Sequence, residues 1–206
     1  MNEPRLKTYL SAFEESPLAA WAASLPWDLT AQSESVVRAL LDRLPEESFE
    51  ITGNVAVHRT ASVETGAVLK GPLVVGAWSF VAAGAYLRGG CWLGTGCTIG
   101  PGCELKSSFV FDATTLAHFN FVGDTILGKG VNIEAGAVIC NFRNERPQAG
   151  IRVRIGGVLR DIPALKFGAL VGDGARLGAN SVLAPGALLR PGTVVQRAAL
   201  HDQEMG

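Results

Sequence analysis

The stretch Leu87-Arg88-Gly89-Gly90-Cys91-Trp92-Leu93-Gly94-Thr95-Gly96-Cys97-Thr98-Ile99-Gly100-Pro101-Gly102-Cys103-Glu104-Leu105 has an apolar residue at every sixth position and a cysteine four places after the first three of them. Read outward, the same register runs from Ile51 through Val57, Val63, Leu69, Val75 and Val81, and on to Phe111 and Ala117. Small or branched residues recur four places later, as at Ala61, Ala67, Ser79, Ala85 and Thr115. A sustained six-residue period is the signature of a hexapeptide β-helix, a three-walled prism of stacked coils. Side chains fill such a prism, so chemistry has to lie on its outer walls or between copies.

The chain has 206 residues, 48% of them hydrophobic and 18% charged, with 25 glycines and a formal net charge of −1. This length suits one large core plus a small appendage. The near-neutral charge argues against nucleic acid or a membrane surface as a partner. No secretory leader pattern or run of about 20 apolar residues is seen, so the expected compartment is cytoplasmic. Cys91, Cys97 and Cys103 fall on three different walls of one coil, because only residues 18 apart stack. They read as small buried hydrophobes, with neither a disulfide framework nor a metal site. Zinc chemistry of the carbonic-anhydrase type needs about three histidines. His58, His118 and His201 lack the spacing for it.

Residues 1–50 differ in kind and predict a helical cap or oligomerisation segment. Leu10, Phe13, Leu18, Trp21 and Leu25 fall near helical spacing, and Val36, Val37, Leu40, Leu41 and Leu44 form a second apolar stripe. Ser33 or Ser35 is placed to cap that second helix, with Glu34 in its first turn. The segment is expected to cover the exposed first coil or a neighbouring subunit. Residues 51–199 form the predicted left-handed parallel β-helix. The register breaks after Ala117, resumes at Phe121, Leu127, Ile133 and Ile139, and returns again at Val171, Leu177, Leu183, Leu189 and Val195. About 18 hexads give about six coils, rising about 4.8 Å each. Residues 141–170 break the pattern as a basic loop containing Pro147, Pro163, Arg143, Arg146, Arg152 and Arg154.

The residues that the repeat does not require carry the functional signal. His118 stands at the register break and suits a general base. Arg88 and Lys106 are 18 residues apart, so they should stack on one wall, where a phosphate between them would offset their repulsion. Splayed, solvated side chains are the alternative. Asn132 and Asn141 are weaker signals, at a hexad tail and at the start of the loop.

Three strings then resemble a known family: Ala117-His118-Phe119-Asn120-Phe121-Val122-Gly123-Asp124, Gly130-Val131-Asn132-Ile133-Glu134-Ala135-Gly136 and Ile139-Cys140-Asn141-Phe142. They are similar to the acetyltransferase half of the bifunctional enzyme that makes UDP-N-acetylglucosamine, which acetylates glucosamine-1-phosphate and then uridylylates it. The resemblance spans roughly residues 51–195. It implies a left-handed β-helix, a homotrimer with sites between subunits, and acetyl-CoA as co-substrate with no metal required. His118 matches the proton acceptor. Arg88, Lys106 and Asn132 match sugar-phosphate contacts, and Phe121 stands where the family has a tyrosine contacting that phosphate. Ala135 and Asn141 match acetyl-CoA contacts. Phe142 replaces a tyrosine, and Ala179 stands where a serine touches the cofactor. The loop after Asn141 is longer than in the family, and the family's C-terminal tail and nucleotidyltransferase half have no counterpart in these residues. The expected activity is N-acyl transfer from acetyl-CoA to an amino sugar phosphate or sugar nucleotide, with the loop arginines as candidate receivers of CoA phosphates. The alternative is a non-catalytic hexapeptide scaffold or a sugar-phosphate-binding protein.

Overall fold

The computed structural model describes residues 4–146, 148 and 150–205; Pro147 of the basic loop lies outside them. The architecture is the expected parallel β-helix. Two- to four-residue parallel strands stack into three walls, and the coils number seven rather than about six. The first wall starts at Val55–His58, the second at Ser62–Val63 and the third at Val68–Leu69. Their order repeats coil by coil, and Val75, Leu87, Leu93, Ile99 and Leu105 are wholly buried inside the prism. Cys91, Cys97 and Cys103 are buried there too. Burial pushes the Cys91 thiol up to about 11 and the Cys97 thiol up to about 12.

Two details depart from the simple hexad. Ile51 is not an inward residue of a coil. It belongs to Phe49–Thr52, which pairs antiparallel with Val55–His58 and adds an eighth strand to the first wall. The register also slips after Leu105, not after Ala117. The inward residues run Leu105, Val110, Leu116, Val122, Leu127 and Ile133, all fully buried in the prism. Two corners between the third and first walls are therefore one residue short. At each, a non-glycine residue takes a left-handed conformation, Ser107 at φ 49° and Asp124 at φ 47°. The Ser108 hydroxyl donates to Lys106 O (2.7 Å) and accepts from Thr125 N–H (3.1 Å), while the Thr125 hydroxyl donates to Gly123 O (2.8 Å). These hydroxyls satisfy backbone groups that the tighter turn would otherwise bury unpaired. Phe111 and Phe121 consequently point outward.

The N-terminal segment covers the outside of the first wall, not the first coil's end. Leu6, Leu10, Phe13, Trp27, Val36 and Leu40 are buried against Val74, Trp92, Phe109, Phe111 and Ile126. This wall carries apolar side chains on both faces, so only a second apolar layer can keep its outer face from water. The Phe111 ring meets Phe13 at 5.8 Å and Trp92 at 5.2 Å. The first stripe forms short 3-10 turns at Leu6–Thr8, Phe13–Glu15 and Ala19–Trp21, followed by α-helices Pro26–Ala31 and Ser33–Leu41. Neither serine caps the second helix. The Ser33 hydroxyl donates to Gly89 O (3.0 Å), tying the segment to a coil corner, and the Ser35 hydroxyl donates to Gln32 O (2.8 Å). Gly90 permits this approach, since a Cβ there would stand 2.5 Å from Glu34 N.

The excursion after Asn141 contains a β-hairpin, Ile151–Ile155 with Val158–Ile162. Its Ile151, Val153 and Ile162 join the same outer apolar layer.

Candidate functional site

The third wall presents its outward side chains in adjacent rows. Lys106 pairs in register with Arg88, Glu104 with Tyr86, Phe121 with Glu104 and Gly123 with Lys106. The expected stacking of Arg88 and Lys106 is therefore present. Their charges are met within the chain, however. Arg88 Nη2 lies 2.6 Å from Glu104 Oε1, and its Nε donates to the same oxygen at 2.8 Å. Lys106 Nζ lies 2.9 Å and 3.1 Å from the two Asp124 oxygens and 3.1 Å from Ser107 Oγ. Two carboxylates lie against these cations and offset their repulsion within the chain. Sequence reasoning missed both partners, although Glu104 was findable: residues two apart on a strand share a face.

Asp124 also accepts a hydrogen bond from Asn141 Nδ2, so it joins Lys106 to the residue where the chain leaves the wall. A Cβ on Gly123 would stand 2.7 Å from Asn141 Nδ2 and 2.9 Å from Phe121 Cζ. The bare glycine thus lets the Phe121 ring and the Asn141 amide close over it. Phe142 follows, half-buried. Lys106, Phe121, Asp124 and Asn141 form one compact cluster.

His118 lies on the edge between the second and third walls, with an exposed side chain. The edge is a ladder of backbone hydrogen bonds. Phe119 N–H donates to Pro101 O (3.0 Å), Gly136 N–H to His118 O (2.9 Å), Asn180 N–H to Ala135 O (3.0 Å) and Ala198 N–H to Ala179 O (2.8 Å). His118, Ala135 and Ala179 therefore stand on one edge in successive coils. Phe119 has φ 51° and is 71% exposed, its ring lying against Gly102 of the preceding coil. Ala179 N–H donates to Glu134 Oε2 (2.8 Å), and Arg197 bridges the same carboxylate at 2.8 Å. Arg197 and that amide hold the Glu134 carboxyl below its usual range. Asn120, inside the matching string, is structural: its buried amide donates to Glu134 O (2.8 Å) and Ala137 O (3.1 Å).

Within one protomer these groups are not all together. Arg88 and Lys106 sit at the ends of their strands away from the His118 edge, across about 7 Å of strand. Glu104 lies two residues nearer that edge, so its ion pair draws the Arg88 guanidinium toward His118. Asn132 lies exposed on the second wall between Thr115 and Arg176, around the edge from the cluster.

The loop arginines are committed elsewhere. Arg143 meets Asp202 at 2.7 Å and 2.8 Å, Arg146 meets Glu204 at 2.7 Å, and Arg152 also pairs with Glu204. Their positive charge fastens the loop to residues 202–204. Among the described residues, no cluster of His, Cys, Asp or Glu is arranged to hold a metal, and no helix is long and apolar enough to cross a membrane.

Fold and site together define a hexapeptide-repeat β-helix protein with a polar outer wall bordered by an exposed histidine edge. Its sequence is similar to sugar-phosphate acetyltransferases. It is 30% identical over 158 residues to the bifunctional sugar-1-phosphate nucleotidylyltransferase/acetyltransferase of Sulfurisphaera tokodaii, covering 74% of this chain and 39% of that protein. It is 25% identical over 183 residues to the bifunctional protein GlmU of Methanococcus vannielii, covering 87% and 44%. The chain thus spans about two-fifths of the length of these relatives. Among solved structures, the acetyltransferase domain of PglB from Neisseria gonorrhoeae aligns over 80% of this chain and 63% of its own, with a TM-score of 0.43 and 17% identity. No family model matches the chain.

Proposed function

We propose that this chain is an acetyl-CoA-dependent N-acyltransferase acting on an amino sugar phosphate or sugar nucleotide at a site between subunits of a homotrimer. The observation that carries the reading is the 30% identity, over 74% of the chain, to a sugar-1-phosphate nucleotidylyltransferase/acetyltransferase. The wall arrangement supports an intersubunit site. The first wall is covered by the chain's own N-terminal segment, so a neighbour has the other two walls and the His118 edge to approach.

In this reading the imidazole of His118 takes a proton from the bound amine, and the amine nitrogen attacks the thioester carbonyl. The C–N bond forms, the C–S bond breaks, and the proton passes to the departing CoA sulfur. General-base assistance of this kind contributes about 10²–10⁴-fold. Arg88 and Lys106 hold the phosphate and align the amine. Glu104 and Asp124 hold those cations along the wall, and Arg88 keeps N–H donors beyond the two that Glu104 takes. Asn141 and the edge residues Ala135 and Ala179 flank the acetyl-CoA arm. Gly136 N–H is already given to His118 O, so the N–H of Ala135 is the one assigned to the thioester oxyanion. The Phe121 and Phe142 rings contribute apolar surface in place of hydroxyl donors.

The test is acetyl transfer from acetyl-CoA to glucosamine-1-phosphate, followed by thiol release. His118→Ala should lower turnover by about 10²–10⁴-fold; unchanged turnover removes it as the base. Phe121 and Phe142, which lack the hydroxyls of the tyrosines they replace, favour a second reading, a binding scaffold without catalysis. Binding of sugar phosphate without any binding of acetyl-CoA, measured by calorimetry, would select it.

A further inference from the structure

One further cation stands on the third wall. Val68 and Leu69 stack in register on Tyr86 and Leu87, and Lys70 N–H donates to Leu87 O at 2.8 Å. Lys70 therefore precedes Arg88 in the stack as Arg88 precedes Lys106, at the same interval of 18 residues. The three cations lie on the first, second and third coils of one wall, each about 4.8 Å from the next. After Lys106 the column stops at Gly123, which has no side chain. In the other direction it opens to solvent: the Lys106 side chain is 18% exposed, that of Arg88 is 36% exposed, and Lys70 is an exposed residue.

The charges along this column are answered unequally. Glu104 pairs with Arg88 and Asp124 with Lys106. Lys70 forms no ion pair among the described residues; its ammonium lies 5.1 Å from the centre of the Tyr86 ring. The Arg88 guanidinium lies 5.7 Å from the same centre. The ring attracts both cations, so positive groups from neighbouring coils converge on one half-buried tyrosine while a single carboxylate, Glu104, serves the two. A ring face holds an exposed ammonium less firmly than a charge-assisted hydrogen bond does. A phosphate oxygen can therefore draw Lys70 away from Tyr86 at little cost.

A single phosphate held between Lys106 and Arg88 spans one coil. A second phosphate joined to the first reaches the next coil, where Lys70 is the cation without a carboxylate. Given the phosphate-binding role of Arg88 and Lys106 in the acyltransferase reading, we propose that Lys70 is a specificity-determining residue that selects a nucleoside diphosphate sugar over a sugar monophosphate as the acceptor. Calorimetric titration of the full chain should give UDP-glucosamine an affinity about tenfold or more above that of glucosamine-1-phosphate, the worth of one charge-assisted hydrogen bond. Lys70 is exposed, so its variants should fold normally. Lys70→Gln should bring the ratio of the two affinities close to parity, and Lys70→Arg, which keeps the charge, should restore it. An unchanged ratio in folded Lys70→Gln, or a wild-type chain that binds the two sugars equally or binds neither, would overturn the proposal. Titration needs no acetyl-CoA, which separates the two outcomes: a chain with the expected ratio that releases no thiol from acetyl-CoA loses the transfer reaction and keeps the role of Lys70.

Discussion

Asp124 receives the Lys106 ammonium from the preceding coil at 2.9 Å and 3.1 Å, with side-chain exposures of only 8% and 18%. The same carboxylate accepts from Asn141, so three successive coils meet at one left-handed residue. Asp124→Asn keeps the shape and removes the charge, leaving the ammonium largely out of water without its counter-ion. The expected loss is about 2 kcal/mol of unfolding free energy, read from the urea midpoint. An unchanged midpoint would mean that Lys106 finds water instead. In the acyltransferase reading the same variant should raise KM for the phosphate-bearing acceptor more than it lowers kcat, because it disturbs binding and leaves His118 untouched.

The two shortened corners make a second prediction. Ser108 is fully buried, and its hydroxyl serves both Lys106 O and Thr125 N–H. Ser108→Ala strands the buried Thr125 N–H, while Lys106 O keeps the Asp124 N–H at 2.8 Å. It should cost about 1–3 kcal/mol in chemical denaturation. Ser108→Thr, which retains the hydroxyl, should recover part of that loss if the extra methyl is accommodated.

These corners also mark where the sequence stopped being legible. The six-residue period from Val57 to Leu105 maps onto inward positions without error, because each wall position must bury one apolar side chain. Beyond Leu105 the chain offers adjacent apolar candidates, Val110 and Phe111, then Leu116 and Ala117. Period counting selects Phe111, but the structure turns Val110 inward and gives Phe111 to the N-terminal layer. That choice depends on what covers the outside of the wall, which a single-register pattern does not encode. At the site, the alignment of Arg88 with Lys106 was legible from an interval of 18 residues. Asp124 is less legible, because the shortened corner stacks Gly123 rather than Asp124 on Lys106 and so breaks the interval of 18. The tail's hold on the loop arginines joins residues about 60 positions apart, as with Arg143 and Asp202, and no local pattern carries such a pairing.

Thiol reactivity offers a third prediction. Desolvation raises the Cys91 and Cys97 thiols to about 11 and about 12, and Cys103 rises for the same reason. Only the thiolate attacks a disulfide reagent. At pH 8 the native protein should therefore show almost no fast-reacting thiol. Cys140, whose thiol burial also raises, is half-buried where the other three are buried, so it should be the first to react. All four should react together once the coils are unfolded in guanidinium. Rapid labelling of Cys97 in the native state would contradict the packed prism interior.

The loop-to-tail contact gives a fourth prediction, in pH. Asp202 has its carboxyl lowered chiefly by Arg143. Burial pushes Glu204 up, but Arg152, Arg146 and Arg143 outweigh it and its carboxyl is also lowered. A carboxyl lowered in the folded state stabilises that state above its unfolded value, about 4 for Asp and Glu, and the contribution is lost as pH falls through the folded value. The hairpin Ile151–Ile162 should therefore keep the same amide protection between pH 7 and pH 5 and lose it selectively below about pH 4. Arg143→Gln removes the partner that engages both Asp202 oxygens at 2.7 Å and 2.8 Å. It should weaken protection of the hairpin already at pH 7, by about 3 kcal/mol if the loop opens as a unit. It should also flatten the acid dependence, since Asp202 then titrates nearer its ordinary value. Hydrogen exchange at the two pH values, on both proteins, reads the prediction directly. A hairpin equally protected at pH 3.5 and pH 7 in the wild-type chain would show that the apolar contacts of Ile151 and Val153 hold the loop without the arginines.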